Sequence, residues 1–204
     1  MKYKILVVLT ILLATSSCKG KTDSFVRDGD IIFQTSQSSQ SIAIQRATRS
    51  PYSHMGLIFL RDGKPYVFEA VSTVRSTPLR KWIARGSGGH FVIKRLRNAE
   101  GGLGEKSVDK LRAQILLFLG KPYDPTFEWS DKRIYCSELV WKVYDRAIHI
   151  QLGHLQKLKE FHLADPIVAR KLKERYGANV PLEESVISPA EIFLSQQLVT
   201  VMKE

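Results

Sequence analysis

Asp62-Gly63 stands between two apolar runs, Ser53 to Arg61 and Lys64 to Val71. In that setting the pair is a two-residue hairpin turn, because both turn positions need positive φ and Asp and Gly adopt it at little cost. Such a loop pairs Arg61 with Lys64 and so fixes every pair behind it: Gly56 faces Glu69 and His54 faces Val71. Facing residues share a sheet face, as do residues two apart on one strand. His54 and Glu69 are therefore diagonal neighbours on one face, roughly 7–8 Å apart at the backbone. An imidazole and a carboxylate can bridge that gap, and Gly56 leaves the space opposite Glu69 open for the ring. A three-residue loop would reverse the parity.

The rest of the chain is mixed. Ile31-Ile32-Phe33 reads as a short strand and Ser38 to Thr48 carries apolar residues at helical spacing. Residues 77 to 84 suggest a short helix, and Phe91 to Arg97 a further strand. Val108, Leu111, Ile115, Phe118 and Leu119 form a helical stripe that Ser107 can cap and Gly120 with Pro122 ends. Residues 121 to 134 are turn-rich, and Cys136, Leu139, Val140, Val143, Tyr144 and Ala147 then recur at helical spacing. Asp165-Pro166 reads as an N-cap with proline at the first helical position, Ser188-Pro189-Ala190-Glu191 as a capping box, and Leu198 to Met202 as a final strand. Strands gather in the first half and helices in the second, which predicts an α+β fold with the cysteine helix packed on the sheet.

The start of the chain reads as an export signal: Met1-Lys2-Tyr3-Lys4, an apolar run from Ile5 to Ala14, then Thr15-Ser16-Ser17-Cys18. The apolar run falls short of the about 20 residues a transmembrane helix needs. Small residues leading into a cysteine resemble a bacterial lipobox, in which the thiol is acylated and becomes the new N-terminus. Thr15 stands where leucine is usual, so a plain secretory signal is the alternative. The organisation expected is a signal peptide over 1–17, a lipidated Cys18 with a polar tether over 18–24, and one domain over 25–204. The expected place is the cell envelope, anchored to a membrane by lipid at its periplasmic or outer-membrane face. Cleavage removes Lys2 and Lys4 and lowers the formal charge from +11 to +9. That charge suits anionic lipid or an acidic wall polymer. The basic residues are scattered and no nucleic-acid-binding signature accompanies them, so no nucleic-acid partner is expected. With Cys18 acylated, Cys136 is the one remaining cysteine, and the fold depends on its core rather than on a disulfide.

Cys136 opens a helix in Tyr135-Cys136-Ser137-Glu138-Leu139-Val140. A cysteine on an apolar helix face is commonly a small core residue, a histidine in a sheet is commonly structural, and a strand glutamate is commonly solvated. The chemical alternative joins all three. A thiol of ordinary pKa near 8.5 is mostly protonated at neutral pH, and a helix N-terminus and an adjacent imidazolium both favour the thiolate. His54 supplies the imidazolium and later a proton to the leaving group, Glu69 orients the ring, and the Cys136 amide stabilises the oxyanion. The other histidines, His90, His149, His154 and His162, show no metal-ligand spacing, and neither metal nor cofactor is expected.

Ser53-His54-Met55-Gly56-Leu57, Val67-Phe68-Glu69-Ala70, Gly120-Lys121-Pro122-Tyr123-Asp124 and the Cys136 segment together resemble the YiiX family. These are circularly permuted papain-like proteins of the NlpC superfamily. The resemblance runs from about Asp28 to Val140. The order His54, Glu69, Cys136 is that of the permuted branch. By this resemblance Cys136 is the nucleophile, His54 the general base and Glu69 the orienting group, and Tyr123 is similar to a tyrosine near the oxyanion site of NlpC-type enzymes. The loop after Tyr123 lacks the paired glycines of those enzymes, and Tyr135 replaces the aspartate common before their cysteine. The resemblance implies a cysteine amidase or peptidase that cleaves a peptide, peptidoglycan-type or lipid-linked amide through an acyl-cysteine. Acyl transfer from the same intermediate, as in the related lecithin retinol acyltransferase group, and a lipid-anchored binding module with little turnover are the alternatives.

Overall fold

The computed structural model describes residues 25–97 and 103–204. The signal segment, Cys18 and the tether fall outside the described residues. A six-stranded antiparallel sheet runs in the order β4-β3-β2-β1-β5-β8, built from β1 (Ile31–Ser36), β2 (His54–Arg61), β3 (Lys64–Ala70), β4 (Val74–Pro78), β5 (Gly86–Leu96) and β8 (Leu198–Lys203). The helices are α1 (Ser41–Thr48), α2 (Leu79–Ala84), α3 (Glu105–Leu116), α4 (Cys136–Ile148), α5 (Pro166–Tyr176) and α6 (Pro189–Leu194). Two further short strands, β6 (Gln156–Lys157) and β7 (Ser185–Val186), pair with each other. This is the α+β architecture that the sequence predicts.

The hairpin has the expected register: Arg61 pairs with Lys64 and Leu57 with Phe68. Asp62 at φ 51° and Gly63 at φ 69° supply the two left-handed turn residues. Alternation along β2 then sorts its side chains. Met55, Leu57 and Phe59 join Leu139, Val140 and Val143 of α4 in one core, while Ile58 joins Val67 and Trp82 in a second core on the other face. His54 shares the Ile58 face by parity, and its ring stacks on Trp82 of α2 at 5.7 Å between centroids. The histidine and the cysteine helix thus approach the sheet from opposite faces. Because His54 is the first residue of β2 and Cys136 the first of α4, the two meet at the end of the sheet.

Several local expectations need correction. Gly56 does not make room for the imidazole: a Cβ there would lie 2.5 Å from Val67 Cγ1 and 2.6 Å from the Phe68 carbonyl oxygen, so the glycine allows β3 to close on β2. The α3 helix starts two residues before Ser107 from an uncapped Gly104, and Leu119 falls beyond its end, half exposed. Ser188 Oγ accepts from the Glu191 amide at 3.1 Å, but the Glu191 carboxylate accepts from the His154 amide instead of closing a capping box. Asp165 caps α5 as expected, accepting from Ile167 N at 2.9 Å.

Candidate active site

Glu69 is fully buried on β3. Its Oε2 lies 2.7 Å from His54 Nε2, while its Oε1 accepts from Thr77 Oγ1 at 2.6 Å and from Arg85 Nη2 at 2.5 Å, with Arg75 Nε 3.7 Å away. Burial works against the charge, but the bonds from His54 and Thr77 and the Arg85 guanidinium outweigh it and hold the carboxyl down at about 2. Glu69 is therefore an anion throughout the neutral range. Register explains this company: Arg75 faces Glu69 and Thr77 faces Val67 across β3 and β4, so both project from the Glu69 face.

His54 makes the second half of the arrangement. With Nε2 on Glu69, Nδ1 is the nitrogen left for Cys136, which lines the same cleft as the ring. Burial alone would discharge the imidazole, yet Cys136 and Glu69 together hold it protonated up to about 9. Cys136 is buried at the first position of α4, where the helix amides point outward and the dipole favours negative charge. The structure thus brings Cys136, His54 and Glu69 together.

Tyr123 joins them from the loop before α4. Its backbone is pinned by the bond from Tyr123 N to the Ser72 carbonyl at 3.0 Å and by a bridge to Ile134. Burial first, and then the charge on Cys136, push its phenol well above the ordinary range, so it stays a neutral donor. Cys18 lies outside the described residues.

Cys136 lies where two unlike spaces meet. One is a polar cleft of about 550 Å³ that also touches Gln34, Gln40, His54, Arg85 and Tyr123. The other is a narrow cavity of about 80 Å³, walled by Ala43, Phe127, Leu158, Val168 and Ile187 among others. Gln40 and Tyr123 border both.

Five residues here escape the sequence reading: Arg75, Thr77, Trp82, Arg85 and Gln40. Arg75 and Thr77 lie on β4, a five-residue strand without an apolar alternation to mark it. Trp82 and Arg85 arrive through the packing of α2, and Gln40 through the turn before α1.

The match to a family model described as permuted papain-like amidase enzyme, YaeF/YiiX, C92 family, spans residues 25–202. The chain belongs to this family. It is 51% identical over 199 residues to a protein of Escherichia coli K12 named as uncharacterized protein YiiX, covering 98% of this chain and 95% of that one. It also matches a solved structure titled as metalloprotein yiiX from Escherichia coli O157:H7, with a TM-score of 0.85 and 56% identity over 88% of this chain and 98% of the other. The fold is thus the circularly permuted papain-like one, and the family is one of amidases.

Proposed function

We propose that the protein is a cysteine amidase of the bacterial cell envelope, held at a membrane through an acylated Cys18, with Cys136 as nucleophile, His54 as acid and base and Glu69 as the group that fixes the ring. The observation that carries this reading is His54 bonded to an ionised, fully buried Glu69 and sharing one cleft with Cys136, whose charge and that of Glu69 hold the ring protonated. An imidazolium beside a sulfur at a helix start favours the thiolate. The thiolate attacks the amide carbon, and the carbonyl electrons move onto oxygen, which the Cys136 amide and the Tyr123 hydroxyl stabilise. The intermediate collapses, the C–N bond breaks, and the His54 proton goes to the departing nitrogen, leaving an acyl-cysteine and a neutral imidazole. That imidazole takes a proton from water as its oxygen attacks the thioester. Collapse releases the carboxylic acid and restores the thiolate and imidazolium.

The two spaces give the substrate a direction. His54 borders the polar cleft, and the leaving nitrogen must lie where His54 can protonate it. The amine side therefore lies in the cleft and the acyl side in the narrow apolar cavity, which suits an amide with an apolar acyl part. The relative's title calls it a metalloprotein. Among the described residues here no group of three or more His, Cys, Asp or Glu is gathered to hold a metal, and the steps above use the chain's own side chains.

Alkylation by iodoacetamide at pH 6 to 7 tests the reading. Wild-type Cys136 is expected to react at least about tenfold faster than in His54→Ala, as the imidazolium is what sustains thiolate there. Equal, slow labelling of both would sink the activated sulfur. Mass spectrometry of the mature N-terminus checks the anchor, and an unmodified Cys18 would remove it.

A further inference from the structure

Gln40 Nε2 donates to the Tyr123 phenolic oxygen at 3.0 Å. Gln40 ends the turn that precedes α1, and its side chain makes no cap to that helix, so the amide is free for this bond. Its backbone is held: the Gln40 carbonyl accepts from Ile44 N at 3.1 Å. The next residue, Ser41, shares a 2.6 Å hydroxyl contact with Ser53, the residue before His54, and Ser53 Oγ accepts from Ser36 N at 2.9 Å. The start of α1 is thereby tied to the start of β2, so Gln40 and His54 belong to one rigid rim around Cys136.

A phenol has one proton to give and two lone pairs to accept with. When an amide N–H occupies a lone pair, the phenolic proton must point elsewhere. Resting on the reading above, we propose that Gln40 is a positioning residue for the oxyanion site: its amide fills the acceptor side of Tyr123 and turns the Tyr123 proton toward the carbonyl oxygen under attack at Cys136. Gln40 touches both the polar cleft and the apolar cavity, as Tyr123 and Cys136 do, which places the bond beside the reacting carbon. It acts through Tyr123 and needs no contact with substrate. A carboxylate at this position would do the reverse, accepting the phenolic proton and withdrawing it from the oxyanion.

The test compares two reactions of the same sulfur. Acylation by p-nitrophenyl acetate passes through a tetrahedral oxyanion, whereas alkylation by iodoacetamide displaces iodide at a saturated carbon and forms none. The ratio of the two rates isolates oxyanion stabilisation from thiolate supply. In Tyr123→Phe the ratio is expected to fall about 100-fold. In Gln40→Leu it falls roughly tenfold, the scale of one aligned hydrogen bond. Gln40→Glu matches Tyr123→Phe, and the double variant Gln40→Leu/Tyr123→Phe loses no more than Tyr123→Phe alone. Alkylation in Gln40→Leu stays within about twofold of wild type, which also shows that the site is folded. A Gln40→Leu ratio equal to wild type, a Gln40→Glu ratio above that of Gln40→Leu, or alkylation falling in step with acylation would each overturn the proposal. So would an unchanged ratio in Tyr123→Phe. These outcomes differ from failure of the amidase reading, which shows as slow wild-type alkylation indifferent to His54→Ala.

Discussion

Two fully buried glutamates accompany Cys136, Glu69 on the sheet beside His54 and Glu138 two residues along the cysteine helix, and they are driven in opposite directions. Glu69 is held down at about 2. Glu138 has Lys142 Nζ at 2.7 Å and a longer bond from Tyr135 N at 3.4 Å, and burial prevails to push it up to about 7. Burial is the same for both, so the partners decide. Glu69 gathers an imidazole, a hydroxyl and a guanidinium on two oxygens, whereas Lys142 is shared with the Asp131 carboxylate at 2.9 Å. A buried carboxylate is a dependable anion only where several donors converge on it. In this protein that happens at the residue bonded to His54, not at the one on the helix.

Neutralising Glu69 should have the largest effect. Glu69→Gln keeps the shape but removes the charge that holds the His54 imidazolium and leaves Arg85 facing an amide. Acylation of Cys136 is expected to fall about 10³-fold, as when an orienting carboxylate behind a histidine is lost. Stability should drop by about 2–4 kcal/mol, less than for a wholly buried pair because Arg85 and Arg75 are partly exposed and water relieves them. Stopped-flow acylation and urea midpoints measure the two. Acylation within about tenfold of wild type would mean that the ring needs no anion behind it.

Arg85→Ala is the next cut, since it removes one donor and leaves His54 and Thr77 in place. The Glu69 carboxyl then rises from its depressed position. A depressed carboxyl stabilises the fold above its unfolded pKa, and that contribution fades as pH falls through the folded one. The acid limb of both stability and alkylation should therefore move to higher pH, with acylation at pH 7 reduced only about threefold to tenfold. A pH profile that stays in place would show that the guanidinium serves the cleft rather than the carboxylate.

The sequence discloses the Glu69 side of this contrast better than its causes. His54 and Glu69 are legible because a two-residue turn sets the register, and register is a counting argument that packing cannot alter. Cys136 is legible because an apolar stripe and a turn-rich segment before it mark the helix start. The β4 strand, which brings Arg75 and Thr77, is too short and too exposed to show a pattern, with Val74 and Thr77 alone buried. The beginning of β5 runs through Gly86-Ser87-Gly88-Gly89, where Gly86 alone pairs, with Ser36, and no apolar side chain marks a strand. Arg85 and Trp82 depend on where a six-residue helix lands across the sheet. Gly56 departs from its expected role for a similar reason. Strand spacing, rather than the ring across the sheet, sets its need.

Glu138→Gln should have the smallest effect, and its pH dependence carries the contrast furthest. A carboxyl whose folded pKa is raised holds its proton more tightly in the folded state, so the stability it lends is full below the ordinary pKa near 4.5 and is lost as pH rises through about 7. The loss across that window is of order 3 kcal/mol at most, given a shift of a few units. Glu138→Gln removes this slope, and urea midpoints from pH 4.5 to 7 should flatten relative to wild type. At pH 7 the variant should differ from wild type by about 1 kcal/mol or less, because Lys142 keeps Asp131 at 2.9 Å and the Ser130 carbonyl at 2.8 Å. Acylation of Cys136 should be unchanged. If Glu138→Gln instead slowed acylation as Glu69→Gln does, the helix glutamate would be acting on the sulfur, and the two buried carboxylates would differ in degree rather than in kind.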